Sequence, residues 1–191
     1  ITGDTTNDVV SFEEIEAITT GSGDDTVDAS ADSAGVTITT GAGVDTVLGG
    51  QGDDSISAGS GADTINGGAG ADTIDGGDDQ DLIQLTDGFG DDSIAGGEGG
   101  TDADTLDGGA LDEDVGVVVN ADGESGTGSN GADTASFAEI EAIVTGSGDD
   151  TVDASASTVA INLQTNDGEA IITGGAGDDT LNAGTGGDVV E

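Results

Sequence analysis

A large aliphatic residue recurs every nine positions through the middle of the chain, between residues 40 and 84. The residues at this interval are Val47, Ile56, Ile65, Ile74 and Ile83. Small or polar residues flank each of them, which predicts a short strand whose central side chain points to one face. One buried residue per copy cannot build a core, so the copies must coil and stack on their neighbours. The period predicts a coil of eighteen residues with one strand on each side.

A glycine-rich loop ending in aspartate precedes each aliphatic residue, and the copies have the form G-G-x-G-x-D-x-U-x, with U the aliphatic residue. Glycine permits positive φ and lets a carbonyl oxygen approach an ion closely, while aspartate supplies a hard carboxylate oxygen. Residues eighteen apart stack in the predicted coil, so the aspartates form two columns. One column holds Asp45, Asp63 and Asp81, and the other holds Asp54 and Asp72.

The composition calls for an external cation. The 191 residues include 42 acidic ones and no Lys, Arg or His, which gives a formal net charge of −42. No side chain can neutralise the stacked carboxylates, and their repulsion opposes a compact fold. Calcium between successive loops would remove this repulsion, because Ca²⁺ takes about six to eight oxygen ligands and accepts carbonyls among them. We therefore expect calcium to supply much of the folding free energy.

The missing residue types exclude several classes of function. Without a basic patch we expect no nucleic acid partner, and without a long apolar run we expect no membrane insertion. There is no Cys for a disulfide. The chain offers no His, Lys, Cys or Tyr as base or nucleophile, so we predict no enzymatic activity and no small-molecule substrate. A glycosidase-like pair such as Asp24 with Asp25 is the alternative, but a ligand beside a solvated neighbour is the simpler interpretation.

Before the central run, residues 21–28 form a first clear motif. Residues 36–39 are strand-like but lack a loop of their own, so we expect Asp25 to stack next to Asp45. Residues 1–20 fit either a short helical turn or a bent strand, and their periodicity does not decide between the two.

After the central run, the motif continues with insertions. Residues 88–95 follow a two-residue insertion and residues 96–107 contain three extra residues, which predicts Asp92 and Asp104 as further ligands. Asp79 departs from the pattern, since it stands at position four of the fifth copy, where the motif has its third glycine.

Residues 108–135 change character. The run 115–120 is β-prone, and the segment 121–133 is predicted to be a turn-rich loop. Residues 136–155 then repeat residues 11–30, with 18 of 20 positions identical at an offset of 125. A larger repeat therefore overlies the nonapeptide.

The second copy then departs from the first. Residues 159–163 and 170–173, with a turn signal at 166–168, predict a strand pair or an extra half-coil before a further motif at 174–182. The glutamates of the duplicated segment, including Glu141, could serve as ligands, but we interpret them as outward charges beside a small apolar cluster of Phe12 or Phe137 with the nearby Ile residues.

This repeat resembles the nonapeptide of the RTX (repeats-in-toxin) calcium-binding family. A single GxGxD would be a weak signal, but five copies in fixed register are a strong one. The resemblance implies an all-β fold, a calcium-bound right-handed parallel β-roll, with irregular β segments between the repeat blocks. It also implies that each calcium ion is held by loop carbonyls and by an aspartate from each of two stacked copies. About ten motif-like loops, with roughly one ion each, predict at least six calcium ions.

Carried over residue by residue, the resemblance predicts the following metal-binding residues. They are Gly21, Gly23, Asp25, Gly41, Gly43, Asp45, Gly50, Gly52, Asp54, Gly59, Gly61, Asp63, Gly68, Gly70, Asp72, Asp81, Asp92, Asp104, Gly146, Gly148, Asp150, Gly175, Gly177, Asp179 and Asp188.

We expect two domains. Residues 1–107 would form an RTX β-roll block with an N-terminal connecting segment, and residues 108–191 a connecting β segment with a second, partial block. Both ends fall inside repeat units, so we expect a longer repetitive polypeptide. The connecting segments are similar to those of large secreted RTX surface proteins, which implies type I secretion and an extracellular location.

The function expected from these features is that of a calcium-dependent structural segment of a secreted bacterial surface or matrix protein: a fibre, a surface layer or an adhesin stalk. Self-association, with calcium bridging the copies, is the expected partnership. The main alternative is a calcium-binding folding or secretion module of a secreted protease, lipase or toxin. A carbohydrate-binding adhesin that uses surface calcium is the third.

Overall fold

The computed structural model describes residues 9–11, 15–101, 103–120, 123–131 and 133–191, and every regular element in these ranges is a β strand. No helix there is long and apolar enough to cross a membrane. The strands in chain order are β1 (Val9–Ser11), β2 (Ala17–Ser22), β3 (Thr26–Asp28), β4 (Thr37–Ala42), β5 (Thr46–Gly50), β6 (Ser55–Ser60), β7 (Thr64–Gly68), β8 (Thr73–Asp78), β9 (Leu82–Gln84), β10 (Asp91–Ala95), β11 (Thr105–Asp107), β12 (Val115–Val119), β13 (Gly126–Asn130), β14 (Asp133–Ala138), β15 (Ala142–Val144), β16 (Thr151–Asp153), β17 (Asn162–Gln164), β18 (Ile171–Thr173), β19 (Thr180–Asn182) and β20 (Val189–Val190).

Except for β12, β13 and β14, which lie in the same sheet, successive strands alternate between two sheets. One sheet has nine strands in the order β1-β3-β5-β7-β9-β11-β15-β17-β19, and the other has eleven in the order β2-β4-β6-β8-β10-β14-β13-β12-β16-β18-β20. Outside the segment β12 to β14, hydrogen-bonded neighbours are parallel. One strand from each sheet makes one turn of the coil. The predicted parallel β-solenoid is confirmed.

The aliphatic residue of each copy lies in the core between the two sheets. Ile65 and Ile83 are 0 % exposed and Ile56 and Ile74 are 2 % exposed. In the register Ile56 pairs with Ile74 and Ile65 pairs with Ile83, so the core residues stack at the predicted eighteen-residue interval. The core is narrow, because each strand of the roll contributes one large aliphatic side chain, joined in β6 by the small side chain of Ala58.

The insertions after the central run leave the coil intact. Ile94 of β10 pairs with Ile74, and Leu106 of β11 pairs with Ile83, so the extra residues lie in the loops. At the N-terminal end the chain forms strands β1 and β2 rather than a helical turn, within the residues described. Phe12 and its two following neighbours lie outside the described residues.

Strands β12, β13 and β14 form an antiparallel meander within the eleven-stranded sheet. β13 lies inside the segment predicted to be a turn-rich loop, so that prediction is wrong for residues 126–130. Gly126 pairs with Phe137, and a Cβ atom on Gly126 would lie 2.6 Å from Cζ of the Phe137 ring. The ring covers the glycine backbone and supplies apolar contact that β13 itself lacks. Such a strand depends on its partner and carries no periodic signal of its own.

The C-terminal segment adds coils rather than a hairpin. β17 pairs with β15 in one sheet, and β18 pairs with β16 in the other. Of the two alternatives from the sequence, the strand pair is therefore wrong; in place of a single extra half-coil, β17 and β18 continue the coil with one strand in each sheet. Both sheets continue through residues 107 and 108, where the domain boundary is predicted.

The narrow core gives a prediction. Ile65→Ala should lower the free energy of unfolding by about 2–4 kcal/mol in excess calcium, because it leaves a cavity in a fully buried stack. Leu48→Ala, at a position that is 37 % exposed, is the matched control and should cost under about 1 kcal/mol. Urea unfolding followed by circular dichroism measures both. Equal losses for the two variants would contradict the stacked core.

Candidate metal centre

Five aspartates form a column along one edge of the coil, and the main chain places each of them. The amide N–H of each aspartate donates to Oδ1 of the next one in the column, over sequence separations of 20, 18, 18 and 23 residues. In order these residues are Asp25, Asp45, Asp63, Asp81 and Asp104, with N···O distances of 2.7, 2.7, 2.9 and 2.7 Å. The predicted stacking of this column is confirmed, including the two members beyond the central run.

A second column stands on the opposite edge. The amide of Asp54 donates to Oδ1 of Asp72 at 2.8 Å, and that of Asp72 donates to Oδ1 of Asp92 at 2.9 Å. The column begins at Val36, whose amide donates to Asp54. Asp92 pairs with Ala135 on its other side, so the column ends there. Together the two columns contain six stacked pairs of aspartates.

These carboxylates are buried among like charges. Asp63 is 1 % exposed, and its loss of contact with water raises its pKa to about 7, with Asp81 and Asp45 adding to the rise. Burial likewise raises the pKa of Asp92 to about 7 and that of Asp54 to about 6. Each column therefore resists ionisation unless a cation is supplied.

One oxygen of each central carboxylate has no partner among the described residues. Oδ1 of Asp54, Asp63 and Asp72 accepts the main-chain bond, whereas Oδ2 of all three is buried without a hydrogen bond. A buried anionic oxygen without a partner is costly. Oδ2 of Asp72 faces the start of its own loop, where a Cβ atom on Gly67 would lie 2.2 Å from it.

The loop glycines bring carbonyl oxygens against the next turn. A Cβ atom on Gly59 would lie 2.1 Å from the carbonyl oxygen of Gly41, and one on Gly61 would lie 1.9 Å from that of Gly43. Both have φ near +110° to +125°, which side chains rarely adopt. The predicted glycines with positive φ are Gly21, Gly23, Gly41, Gly43, Gly50, Gly59, Gly61, Gly68 and Gly70, and those without are Gly52, Gly146, Gly148, Gly175 and Gly177.

These donors fit calcium. Within the described ranges no three carboxylates converge on one point, so a bound ion would need main-chain carbonyls beside two stacked aspartates. Hard oxygens in irregular geometry are the ligands that Ca²⁺ accepts. When bound, the ion would supply the positive charge that no side chain of this protein offers. The chain's own part is to hold the carboxylates in register through the amide bonds and to exclude water from them.

Asp79 keeps the loop geometry despite its side chain. It takes φ = +76°, the left-handed conformation typical of glycine, and its Oδ1 accepts the amide of Thr101 at 3.0 Å. The neighbouring Asp81 therefore stacks as in the regular copies.

Glu141 is a candidate ligand that the sequence analysis assigned to the surface. Its Oε2 accepts the amide of Asp104 at 2.5 Å and so takes the position that an aspartate holds elsewhere in the first column. The motif places aspartate at this position, so a glutamate outside any motif gave no signal in the sequence.

The C-terminal aspartates are placed differently. Asp150 is buried, whereas Asp179 and Asp188 are partly exposed. Each accepts a main-chain amide from a residue that is not acidic, namely Val115, Ile161 and Ala170 respectively. Their assignment as ligands stays a prediction.

Comparison with protein-family models identifies the repeat. The model for the RTX calcium-binding nonapeptide repeat matches four times, at residues 15–33, 36–56, 48–83 and 162–190, and these matches cover about half of the chain. The chain belongs to the RTX calcium-binding nonapeptide repeat family. RTX repeats bind calcium and form a structural β-roll in proteins that are typically secreted. No curated protein matches this chain. The RTX matches leave out residues 84–161, which include the loops with insertions and the meander of β12, β13 and β14.

The shared position of Asp63 gives a second prediction. Asp63→Asn should lower the apparent calcium affinity at least about tenfold, because Asp63 belongs to two stacked pairs of the RTX roll. Asp24→Asn is the control, since Asp24 is exposed and precedes a column residue; it should change affinity less than about twofold. Isothermal titration with calcium measures both. Equal losses would contradict the stacking register.

The raised pKa values give a third prediction. In calcium-free protein, protonated Asp63 and Asp92 stabilise the fold, because their folded pKa of about 7 exceeds the ordinary 3.8. This stabilisation is present at low pH and is lost as pH rises through about 7. Circular dichroism of calcium-free protein should therefore show more β structure at pH 5 than at pH 8. The double variant D63N/D92N should show a smaller difference, and a wild-type signal that rises with pH would contradict the sign.

Proposed function

We propose that this chain is a calcium-dependent structural segment of a large secreted bacterial surface or matrix protein, such as a fibre, a surface layer or an adhesin stalk. The observation that carries the proposal is the pair of aspartate columns, which run along the coil for six stacked pairs without any basic side chain to balance them. Such a coil would stiffen when calcium is abundant and would loosen where it is scarce.

The duplication supports an extended architecture. Residues 17–22 and 142–144, which belong to the two copies of the duplicated segment, lie in opposite sheets. The same sequence therefore serves either side of the coil, since Val27 and Val152 fill equivalent core positions in the two sheets. A unit that can be placed on either side suits a chain that lengthens by adding copies.

An extracellular location follows from the same proposal. Calcium is abundant outside cells and scarce in cytosol, so a fold that needs several ions would form after export. Self-association is proposed as well, since loop-tip carboxylates such as Asp53 are exposed and could approach another acidic copy only with calcium between them.

The alternative is a folding or secretion module of a secreted protease, lipase or toxin. Such a module would share the calcium-dependent fold and would differ in staying monomeric. Oligomeric state at saturating calcium therefore separates the two proposals.

A calcium titration tests the proposed function. Far-UV circular dichroism should show a cooperative coil-to-β transition, because calcium removes the repulsion that opposes stacking. A chelator should reverse it, and magnesium should not reproduce it, because Mg²⁺ demands stricter octahedral geometry. The folded protein should hold at least about six ions, one for each stacked pair of aspartates.

Light scattering on the same samples completes the test. Scattering that rises with the transition supports the assembly role, and a monomer at saturating calcium favours the module of a secreted enzyme or toxin. Calcium-free protein at pH 8 with as much β structure as the calcium-loaded protein would contradict both.

A further inference from the structure

Asp150 stands alone in its column. The strand register places Val115 on one side of it and Ala170 on the other, because Gly116 pairs with Thr151 and Thr151 pairs with Ile171. In the columns of residues 25–104, by contrast, every interior aspartate has an acidic neighbour on at least one side. An ion at Asp150 would find one carboxylate where an ion at Asp63 finds two.

The carboxylate of Asp150 already has donors from the protein. Oδ2 accepts a short hydrogen bond of 2.5 Å from Oγ1 of Thr145, and Oδ1 accepts the amide of Val115 at 2.9 Å. Thr40 occupies the same repeat position as Thr145 and lies near Asp45 of its own loop. Its hydroxyl nevertheless donates to the carbonyl oxygen of Ala58 in the next turn, and Oδ2 of Asp45 is buried without a hydrogen bond. The buried oxygen that is unpartnered in Asp54, Asp63 and Asp72 is therefore satisfied here.

The loop carbonyl oxygens and the glycines beside them are also arranged differently in this turn. Asn166 stands where a regular copy has its first positive-φ glycine, and its Nδ2 donates to the carbonyl oxygen of Thr145 at 2.9 Å. Gly146 and Gly148 do not take the left-handed φ of their counterparts Gly41 and Gly43. A side-chain amide thus occupies a carbonyl that would otherwise face an ion.

Two exposed aspartates of this turn, Asp114 and Asp149, accept hydrogen bonds from main-chain amides. Oδ1 of Asp114 accepts the amide of Asp149, and Oδ1 of Asp149 accepts the amide of Glu169, both at 2.9 Å. These side chains are exposed to water, which screens their mutual repulsion.

We propose that the turn built from residues 145–150 and 165–170 takes no calcium, because the protein's own donors, Thr145 and Asn166, occupy the oxygens that calcium would bind. The turn packs on the meander, whose apolar core includes Val117 and Phe137. Together they form a junction that stays folded without calcium, next to a calcium-dependent roll. This inference rests on the proposed function, in which calcium holds the columns of residues 25–104, and it replaces the sequence assignment of Asp150 as a ligand.

Counting bound ions by native mass spectrometry tests the proposal. Asp150→Asn should hold the same number of calcium ions as wild type, whereas Asp63→Asn should hold at least one fewer. A loss of an ion in Asp150→Asn would overturn the inference and leave the proposed function standing. An unchanged count in Asp63→Asn would instead overturn the proposed function.

A gain-of-site variant makes the converse test. N166G/A170D restores the loop glycine and stacks a new aspartate between Asp150 and Asp188, so it should bind at least one additional ion. An unchanged count would overturn the explanation in terms of Asn166 and the missing aspartate. The number of bound calcium ions must be compared with that of wild type at the same calcium concentration.

Hydrogen exchange tests the same proposal on wild-type protein, so the result does not depend on whether a variant folds. In calcium-free protein at pH 8, amides of β12 and β16 should remain protected while those of β6 and β8 exchange rapidly. Equal exchange in the two regions would overturn the proposal.

Discussion

Repulsion between stacked carboxylates is the constraint on which the rest of this structure depends. The coil repeats every eighteen residues, and each turn places an aspartate directly over the last one, with the amide of Asp45 bonded to Asp63 and that of Asp63 bonded to Asp81. These amide bonds set the register but cannot cancel the charge. The chain contains no basic residue, so the neutralising charge must come from solution.

The central roll and the meander region differ in what stabilises them beside a narrow core. The central roll buries one large aliphatic side chain per strand, so under the proposed function its calcium-bound aspartate columns would supply the remaining stability. The meander region buries larger groups together, among them Phe89, Leu111, Phe137 and Ile140, and contains antiparallel pairs. Calcium dependence would therefore belong to particular turns rather than to the whole coil, because it would follow from where carboxylates stack.

The site was predictable where the repeat is regular. The spacing of Asp45, Asp54, Asp63 and Asp72 alone determines which carboxylates stack, and insertions before Asp92 and Asp104 did not disturb that prediction because loops absorb them. Prediction failed where a residue's role depends on its neighbour in the coil. Glu141 looks like a surface charge in the sequence, yet it continues a column, while Asp150 sits in a complete motif and has no acidic neighbour.

The sequence by itself determined the coil, its two-sheet construction and the need for a cation, because a nine-residue period of glycine, aspartate and one aliphatic residue allows few other ways to bury apolar surface. Outside the regular run, only the tertiary structure decided which turns stack against which. Strand β13 lies between β12 and β14, where Phe137 covers Gly126, and the turn at Asp150 differs from its copy at Asp25 because Val115 and Ala170 lie beside it. Stacking partners there depend on the path of the whole coil, so the local motif alone does not identify them.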